Sequence, residues 1–441
     1  MTRVPLWAAV AICCVGQAAL AQDPGEPTMT LAQAREIALV QRPSLKAKQF
    51  SAATAREITH QYEAARYPQL AGNLTAVAAE RDTVVQDGKE VNLDTRIAAG
   101  ALNNPTVLRR DAAGVVVSQL ITDFGRTSNL VESSRFNEVS QMQQLAAIRS
   151  QVMLDVDEAY FGVLEAQAVL RVARKTVDAR KLLLDRVAVL TRSKLKSELE
   201  VKFAEVSLDE ARLLLLRAEN AVEGAFARLS TSLGYRDARR YRLTDPTVGD
   251  APPAELEAVM GQALARRPEL ESLRADHEAA QKLAAAQDSL RYPSISAFAA
   301  AGVVPVGDSR FPSNYGAIGV NLNLTLFDGG KISALRQEAK LKTYTASENL
   351  SEAENTVASA VRIAWLNAKA GYENITITRH LQDVSSQALK LAESRYALGI
   401  TSIVELNQAQ LSAIDAEIGY SRAKYRYLLA RAVLDYQSGA L

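Results

Sequence analysis

RTSNLVESSRFNEVSQMQQLAAIRSQVMLDVDEAYFGVLEAQAVLRVARKTVDARKLLLDRVAVLTRS, residues Arg126 to Ser193, is the stretch whose reading decides the fold. Val152, Val156, Ala159, Val163, Ala166, Leu170, Ala173, Val177, Leu184 and Val187 recur at three- and four-residue spacing, which is the seam of a coiled coil. A second apolar line through Leu164, Ala168, Leu182, Leu183 and Val189 gives this helix more than one neighbour, and its many alanines let those neighbours approach closely. At 1.5 Å per residue the run is about 100 Å long.

The stretch returns as Lys331 to Leu398. Tyr160 and Trp365, Gly125 and Gly330, Ser197 and Ser402, and Gly234 and Gly439 all stand 205 positions apart (365 − 160). Further upstream, Pro43 and Pro268 stand 225 apart (268 − 43), as do Tyr67-Pro68 and Tyr292-Pro293, so the first copy carries an insert between Pro68 and Gly125. The chain is a tandem repeat of one unit of roughly two hundred residues. Residues 22–236 form the first copy and 256–441 the second; the linker 237–255 carries Pro246, Gly249, Pro252 and Pro253.

Each copy predicts the same order of elements. Thr30 caps a short helix to Gln41, and Pro43 opens another to about Arg66, its missing N–H costing nothing at a first helical position. Tyr67-Pro68 stops that helix, because the residue before proline is pushed out of the α region. The second copy repeats this with Leu256 to Arg266, Pro268 and Tyr292-Pro293. The period then changes to alternation, predicting strands over about 69–80 and 113–122, and over 294–304 and 315–327. In the last of these, Ile318, Val320, Leu322, Leu324 and Leu326 oppose Gly319, Asn321, Asn323, Thr325 and Phe327. That pattern suits a strand between lipid and a wet interior, and equally a soluble sandwich strand with one solvated side. Glu80 to Asp111 and Pro305 to Asn314 read as polar loops.

Gly125, Gly329 and Gly330 mark the strand-to-helix turns before the long helices 126–193 and 331–398. Return helices follow over 197–233 and 402–438, and Ser197 and Ser402, each three residues before Glu200 or Glu405, read as capping boxes. A lead-in helix of about 35 Å and a return helix of about 55 Å, end to end, nearly match one long helix. This predicts a wall of two long helices and two stacked pairs.

Lys and Arg total 51 against 50 Asp and Glu, so there is no basic excess that would point to nucleic acid. Arg3, the apolar run Leu6 to Leu20 and Ala19-Leu20-Ala21 read as a signal peptide, residues 1–21, cut after Ala21. Cys13 and Cys14 both lie inside it, so the mature chain is expected to carry no cysteine. No later segment is apolar enough for a spanning helix, which leaves a periplasmic, secreted or β-barrel protein. One chain supplies four strands, whereas single-chain barrels begin at about eight, so a membrane barrel would have to be shared between chains.

Pro43-Ser44-Leu45 and Pro268-Glu269-Leu270, the Tyr-Pro helix ends, Phe327-Asp328-Gly329-Gly330 and the turn from Tyr396 through Gly399 to Glu405-Leu406 resemble the TolC family of outer-membrane efflux proteins over nearly the whole mature chain. The resemblance implies a mainly α fold with a small β part. Long helical hairpins form an α-barrel tunnel, and a homotrimer shares a twelve-stranded transmembrane β-barrel in outer-membrane lipid. It implies an exit channel in the Gram-negative outer membrane for an efflux pump or type I secretion system. A periplasmic adaptor would join it to an inner-membrane pump or ABC exporter, with no cofactor. The gate would lie at the periplasmic helix tips. There the family pattern makes Glu405, Gln408, Glu200, Tyr396 and Thr401 pore or gate candidates, and Lys194, Leu195, Leu398, Gly399 and Ile400 adaptor contacts. Gln408 stands where some members have a second acid, Lys194 replaces the glycine of the first tip, and Thr401 stands where a tip-locking arginine would be.

The other reading of the residues is a periplasmic coiled-coil scaffold without a membrane barrel. Asp123-Phe124-Gly125 has no kinase catalytic loop around it, and His60, His277 and His380 have no ligand-spaced companions. Nothing in the pattern asks for an enzyme. Tyr67, Tyr292, Phe298, Phe311 and Tyr315 fall near strand ends and are candidates for interfacial aromatic girdles.

Overall fold

The computed structural model describes residues 27–78, 84–86, 88–91, 109–303 and 313–441. The expected signal peptide and Phe311 lie outside them. Strand β1, Thr28–Met29, leads into helix α1, Leu31–Gln41. The Thr30 hydroxyl accepts from the Gln33 N–H, and the Gln33 side chain returns to the Thr30 N–H, so both halves of this capping box are made. Pro43 opens helix α2, Pro43–Ala64, which stops two residues short of the expected end because the chain turns through Ala65 to Tyr67.

Strands β2 (Gln69–Ala78), β3 (Val84–Gln86), β4 (Lys89–Val91) and β5 (Arg109–Thr122) precede helix α3, Arg126–Arg192. Helix α4 (Glu198–Ser232) and strand β6 (Arg242–Leu243) complete the first copy and its linker. The second copy runs α5 (Leu256–Arg266), α6 (Pro268–Asp288), a 3-10 turn, β7 (Ser294–Val303), β8 (Asn314–Asn323), α7 (Lys331–Ala397) and α8 (Ile403–Gln437).

The duplication extends to backbone angles. Gly125 and Gly330, the residues before the two long helices, both have φ of 91°, and Phe124 and Gly329 before them have φ of 54° and 65°. Copy one thus holds a phenylalanine in left-handed backbone where copy two has glycine, and the ring of Phe124 stacks on Tyr292 at 5.3 Å. The adjacent aspartates start the helices: Asp123 accepts from the Thr127 N–H at 2.7 Å and Asp328 from the Ile332 N–H at 2.6 Å.

Midway along the long helices a second duplicated pair ties down the flanking chain. The Tyr160 hydroxyl lies 2.9 Å from the Met29 carbonyl and 2.8 Å from that of Thr244, while Trp365 Nε1 donates to the Pro253 carbonyl at 2.8 Å. The expected linker is therefore partly ordered, since Arg242–Leu243 pairs in parallel with Thr28–Met29 against the buried Tyr160. Beneath α1, the fully buried Asp157 of α3 takes two bonds from Arg35.

Helix α3 lies between two stacked columns. The column of α2 and α4 packs on one side and the column of α6 and α8 on the other, with α7 packed beyond the second. The helical wall therefore runs α2/α4, α3, α6/α8, α7. The strands form one antiparallel sheet in the order β2-β5-β7-β8. Two details depart from expectation. The first loop contains the β3–β4 hairpin, and β8 ends at Asn323 rather than Phe327. Beyond Asn323 the ladder has no partner, because β7 begins only after Pro293, which has no N–H to give.

Directly paired residues share a face of a sheet. Leu70, Leu74, Ile318, Val320 and Leu322 stand exposed on one face, and Asn73, Ser296 and Asn321 lie on the other. Phe298 pairs with Gly319 and Tyr315 with Gly302, which places both aromatic rings on the polar face. They are not part of a girdle on the apolar side.

Candidate functional site

The two helical hairpins end at the same level, in turns of the same construction. Lys194 N–H bonds to the Thr191 carbonyl and Leu195 N–H to that of Leu190; Gly399 and Ile400 do the same with Tyr396 and Arg395. These paired bonds make a Schellman motif, whose extra residue takes left-handed backbone: φ is 60° at Lys194 and 74° at Gly399. Lysine accepts the position at a cost of about 1 kcal/mol relative to glycine. The motif leaves Leu195, Leu398 and Ile400 exposed at the extremity, with Lys194 and Gly399 beside them.

Ser197 and Ser402 cap the return helices, accepting from the N–H of Glu200 and Glu405 at 3.4 and 3.3 Å. The other half of each expected capping box is not made, because the carboxylates have better partners. Glu405 accepts from the Thr401 hydroxyl and lies 3.8 Å from Arg395, so Thr401 does not leave the second tip without an ion pair. Glu405 and Gln408 are exposed on α8, away from buried Ile403, Leu406 and Gln410.

Glu200 turns toward the other hairpin. Lys196 reaches it at 3.4 Å, and the same ammonium sits 4.4 Å from the ring centroid of Tyr396. Tyr396 is 8 % exposed, packed among Val187, Ala204, Ala392, Ile403 and Leu406. Its hydroxyl and Glu200 Oε2 are both buried without a hydrogen-bond partner. Burial, and then the Glu200 carboxylate, push the Tyr396 phenol up to about 12. Tyr396 and Glu200 are therefore brought together inside a knot between hairpins, while Glu405, Gln408 and Thr401 gather on a different surface.

Beside the knot, α3 and α7 flank a cleft over α8 of about 970 Å³, walled by Leu182, Leu183, Leu190 and Leu398. At its Ala179 end, Arg180 is 3 % exposed and donates to Asn407 Oδ1 at 2.6 Å; burial lowers its pKa. Sequence reasoning missed it. The available signal was an arginine at a seam position, seven residues from both Ala173 and Val187.

Residues 34–235 and 259–440 match the family model of the outer membrane efflux protein. The chain belongs to the outer membrane efflux protein family. Outer membrane protein TolC of Salmonella enteritidis is 23% identical over 385 residues, covering 82% of this chain and 78% of that protein. TolC of Escherichia coli is 22% identical over 415 residues, covering 89% and 84%. A membrane protein from Pseudomonas aeruginosa superimposes with a TM-score of 0.79 at 21% identity, covering 93% of each chain, which is a likeness of fold. As a member of the outer membrane efflux protein family, the chain is an exit channel of the Gram-negative outer membrane, and its family is one of transport rather than enzymatic proteins. Among the described residues, no helix is long and apolar enough to cross a membrane, and no His, Cys, Asp and Glu group could hold a metal ion.

Proposed function

We propose that three copies of the chain close one twelve-stranded barrel and one helical tunnel, gated where the hairpins end. A single observation carries this: the sheet and the helical wall stop at corresponding edges. The sheet ends on β2 and β8, and the wall ends on α2/α4 and α7. Open sheet edges are not tolerated in lipid, so β8 must find the β2 of another copy. The helices then meet in the same sense, α7 against the neighbour's α2/α4.

The free faces of those helices fit the role. Leu391, Val384 and Ile377 stand exposed at seven-residue steps on α7, with Leu398 one step further on just past its end, and Leu199, Val206 and Leu213 do so on α4. The helices run oppositely from tips at one level, so Leu398 faces Leu199, Leu391 faces Val206 and Val384 faces Leu213 of the neighbour. The number three, and the partners, come from the family resemblance: a periplasmic adaptor seated on Lys194, Leu195, Leu398, Gly399 and Ile400, and an inner-membrane pump or ABC exporter behind it.

The knot of Lys196, Glu200 and Tyr396 holds the two hairpins of one chain together and so holds the tunnel closed. Planar-bilayer recording with the purified trimer tests this. The native channel is expected to conduct poorly, and Tyr396→Ala, removing about 3 kcal/mol from the closed form, to conduct severalfold better. Equal conductance in the two would remove the knot from the gate.

Proton linkage gives a second readout. An exposed tyrosine titrates near 10, whereas the closed form holds Tyr396 near 12. The raised value stabilises the closed form fully below pH 10, and that contribution is lost as pH rises toward 12. Conductance should climb across this window in the native channel, and the climb should be smaller in Tyr396→Phe; identical pH profiles would exclude the linkage.

Three copies of Glu405, with Gln408 one turn on, would make the mouth negative and favour cations. Glu405→Gln should shift the reversal potential in a salt gradient toward zero.

A further inference from the structure

We propose that Phe298 and Tyr315 form a stacking platform for planar aromatic solutes, aromatic cations included, on the inner wall of the barrel. This rests on the closed barrel proposed above, which makes the polar face of the sheet the inner one. On that face both rings lie flat on strands that carry no side chain beneath them. Tyr315 of β8 reaches across Gly302 of β7 to Gly114 of β5, where its hydroxyl occupies the space a Cβ would need. A Cβ on Gly302 would come within 2.7 Å of the same ring, and one on Gly319 within 2.9 Å of the Phe298 ring. Gly114 and Gly302, in register, thus bed the Tyr315 ring, and Gly319, directly opposite Phe298, beds the other.

Each ring has one side covered by backbone and one side free, so Phe298 stays 38 % and Tyr315 45 % exposed. Their neighbours on this face include Ala300 and Ala317, which are too short to cover the free sides. An apolar ring left bare in a water-filled lumen lacks a partner for its π-face. A flat aromatic molecule supplies that partner by stacking, and a positive charge on it adds attraction to the electron-rich face. An upright aromatic would narrow the bore, whereas a ring laid on glycine offers contact without obstructing the path. The platform gives the barrel a weak preference among solutes.

Ethidium, a planar aromatic cation, is the probe. Its binding to the purified trimer is followed by fluorescence anisotropy, with heat-modifiable migration on gels verifying that each variant assembles. Tyr315→Ala and Phe298→Ala should each weaken binding about fivefold, while Tyr315→Phe should retain it. Gly319→Ala keeps Phe298 but lifts it off its bed, and should also weaken binding. Tyr315→Trp, reconstituted in vesicles, reports which face the position occupies. Quenching of the added emission by aqueous acrylamide and not by brominated acyl chains places it in the lumen. With that result, unchanged ethidium affinity in both alanine variants would overturn the platform and leave the barrel standing. Quenching by brominated chains would overturn the barrel orientation itself, and the platform with it.

Discussion

A chain carrying Val206→Cys and Leu391→Cys should run as a covalent trimer on a non-reducing gel, while either single substitution should not. The mature chain is expected to contain no other cysteine, so bands arise only from the introduced pair. Within one chain the two positions are exposed on α4 and α7, and a bridge inside one chain would leave it migrating as a monomer, so only a bridge between chains gives higher bands. Between chains they face each other across the α7–α4 seam, with the Leu398–Leu199 and Val384–Leu213 layers on either side. A head-to-tail contact of this kind forms a closed ring, and the largest band counts the subunits. A ladder stopping at two, or no linked species, would sink the seam. Leu391→Asp tests its energetics: losing a buried leucine and burying an unpaired charge costs about 4 kcal/mol per seam. The β2–β8 ladder should keep the trimer together, with the tunnel splayed and conductance raised.

Asp157→Ala should release α1 from α3. Asp157 is fully buried and Arg35, its partner, keeps 30 % side-chain exposure. Removing one member of a buried pair costs about 3–5 kcal/mol because the other charge is left uncompensated. The partial exposure of Arg35 sets the expectation at the lower end, about 3 kcal/mol, equivalent to roughly a hundredfold rise in local opening. Hydrogen exchange of the α1 backbone amides, Leu31 to Gln41, measures that opening. The double variant Arg35→Met with Asp157→Leu should restore most of the protection, since an apolar pair of similar volume leaves no orphan charge. Exchange at the native rate in Asp157→Ala would mean that α1 is held by its apolar contacts with α3 alone.

Periodicity, punctuation and duplication by themselves determined the order of helices and strands. The coiled-coil seam of the long helix, the Pro43 and Pro268 starts, and the Gly125 and Gly330 turns are local signals, set by backbone preferences that act wherever the residue stands. Duplication sharpened them, since a weak signal seen twice at one offset is no longer weak. What only the tertiary structure decided depends on residues far apart in sequence. The end of β8 at Asn323 follows from where its partner β7 starts, not from its own alternation, which continues to Phe327. The inward placement of Phe298 and Tyr315 follows from cross-strand register, and their flat posture from Gly114, Gly302 and Gly319, which lie on three strands. At the tips, sequence position marked Glu200, Tyr396 and Glu405 as a group. The fold separates them, setting Glu200 and Tyr396 against Lys196 between hairpins and leaving Glu405 with Thr401 and Arg395, because the equivalent positions of the two copies stand on helices with different neighbours, α4 and α8.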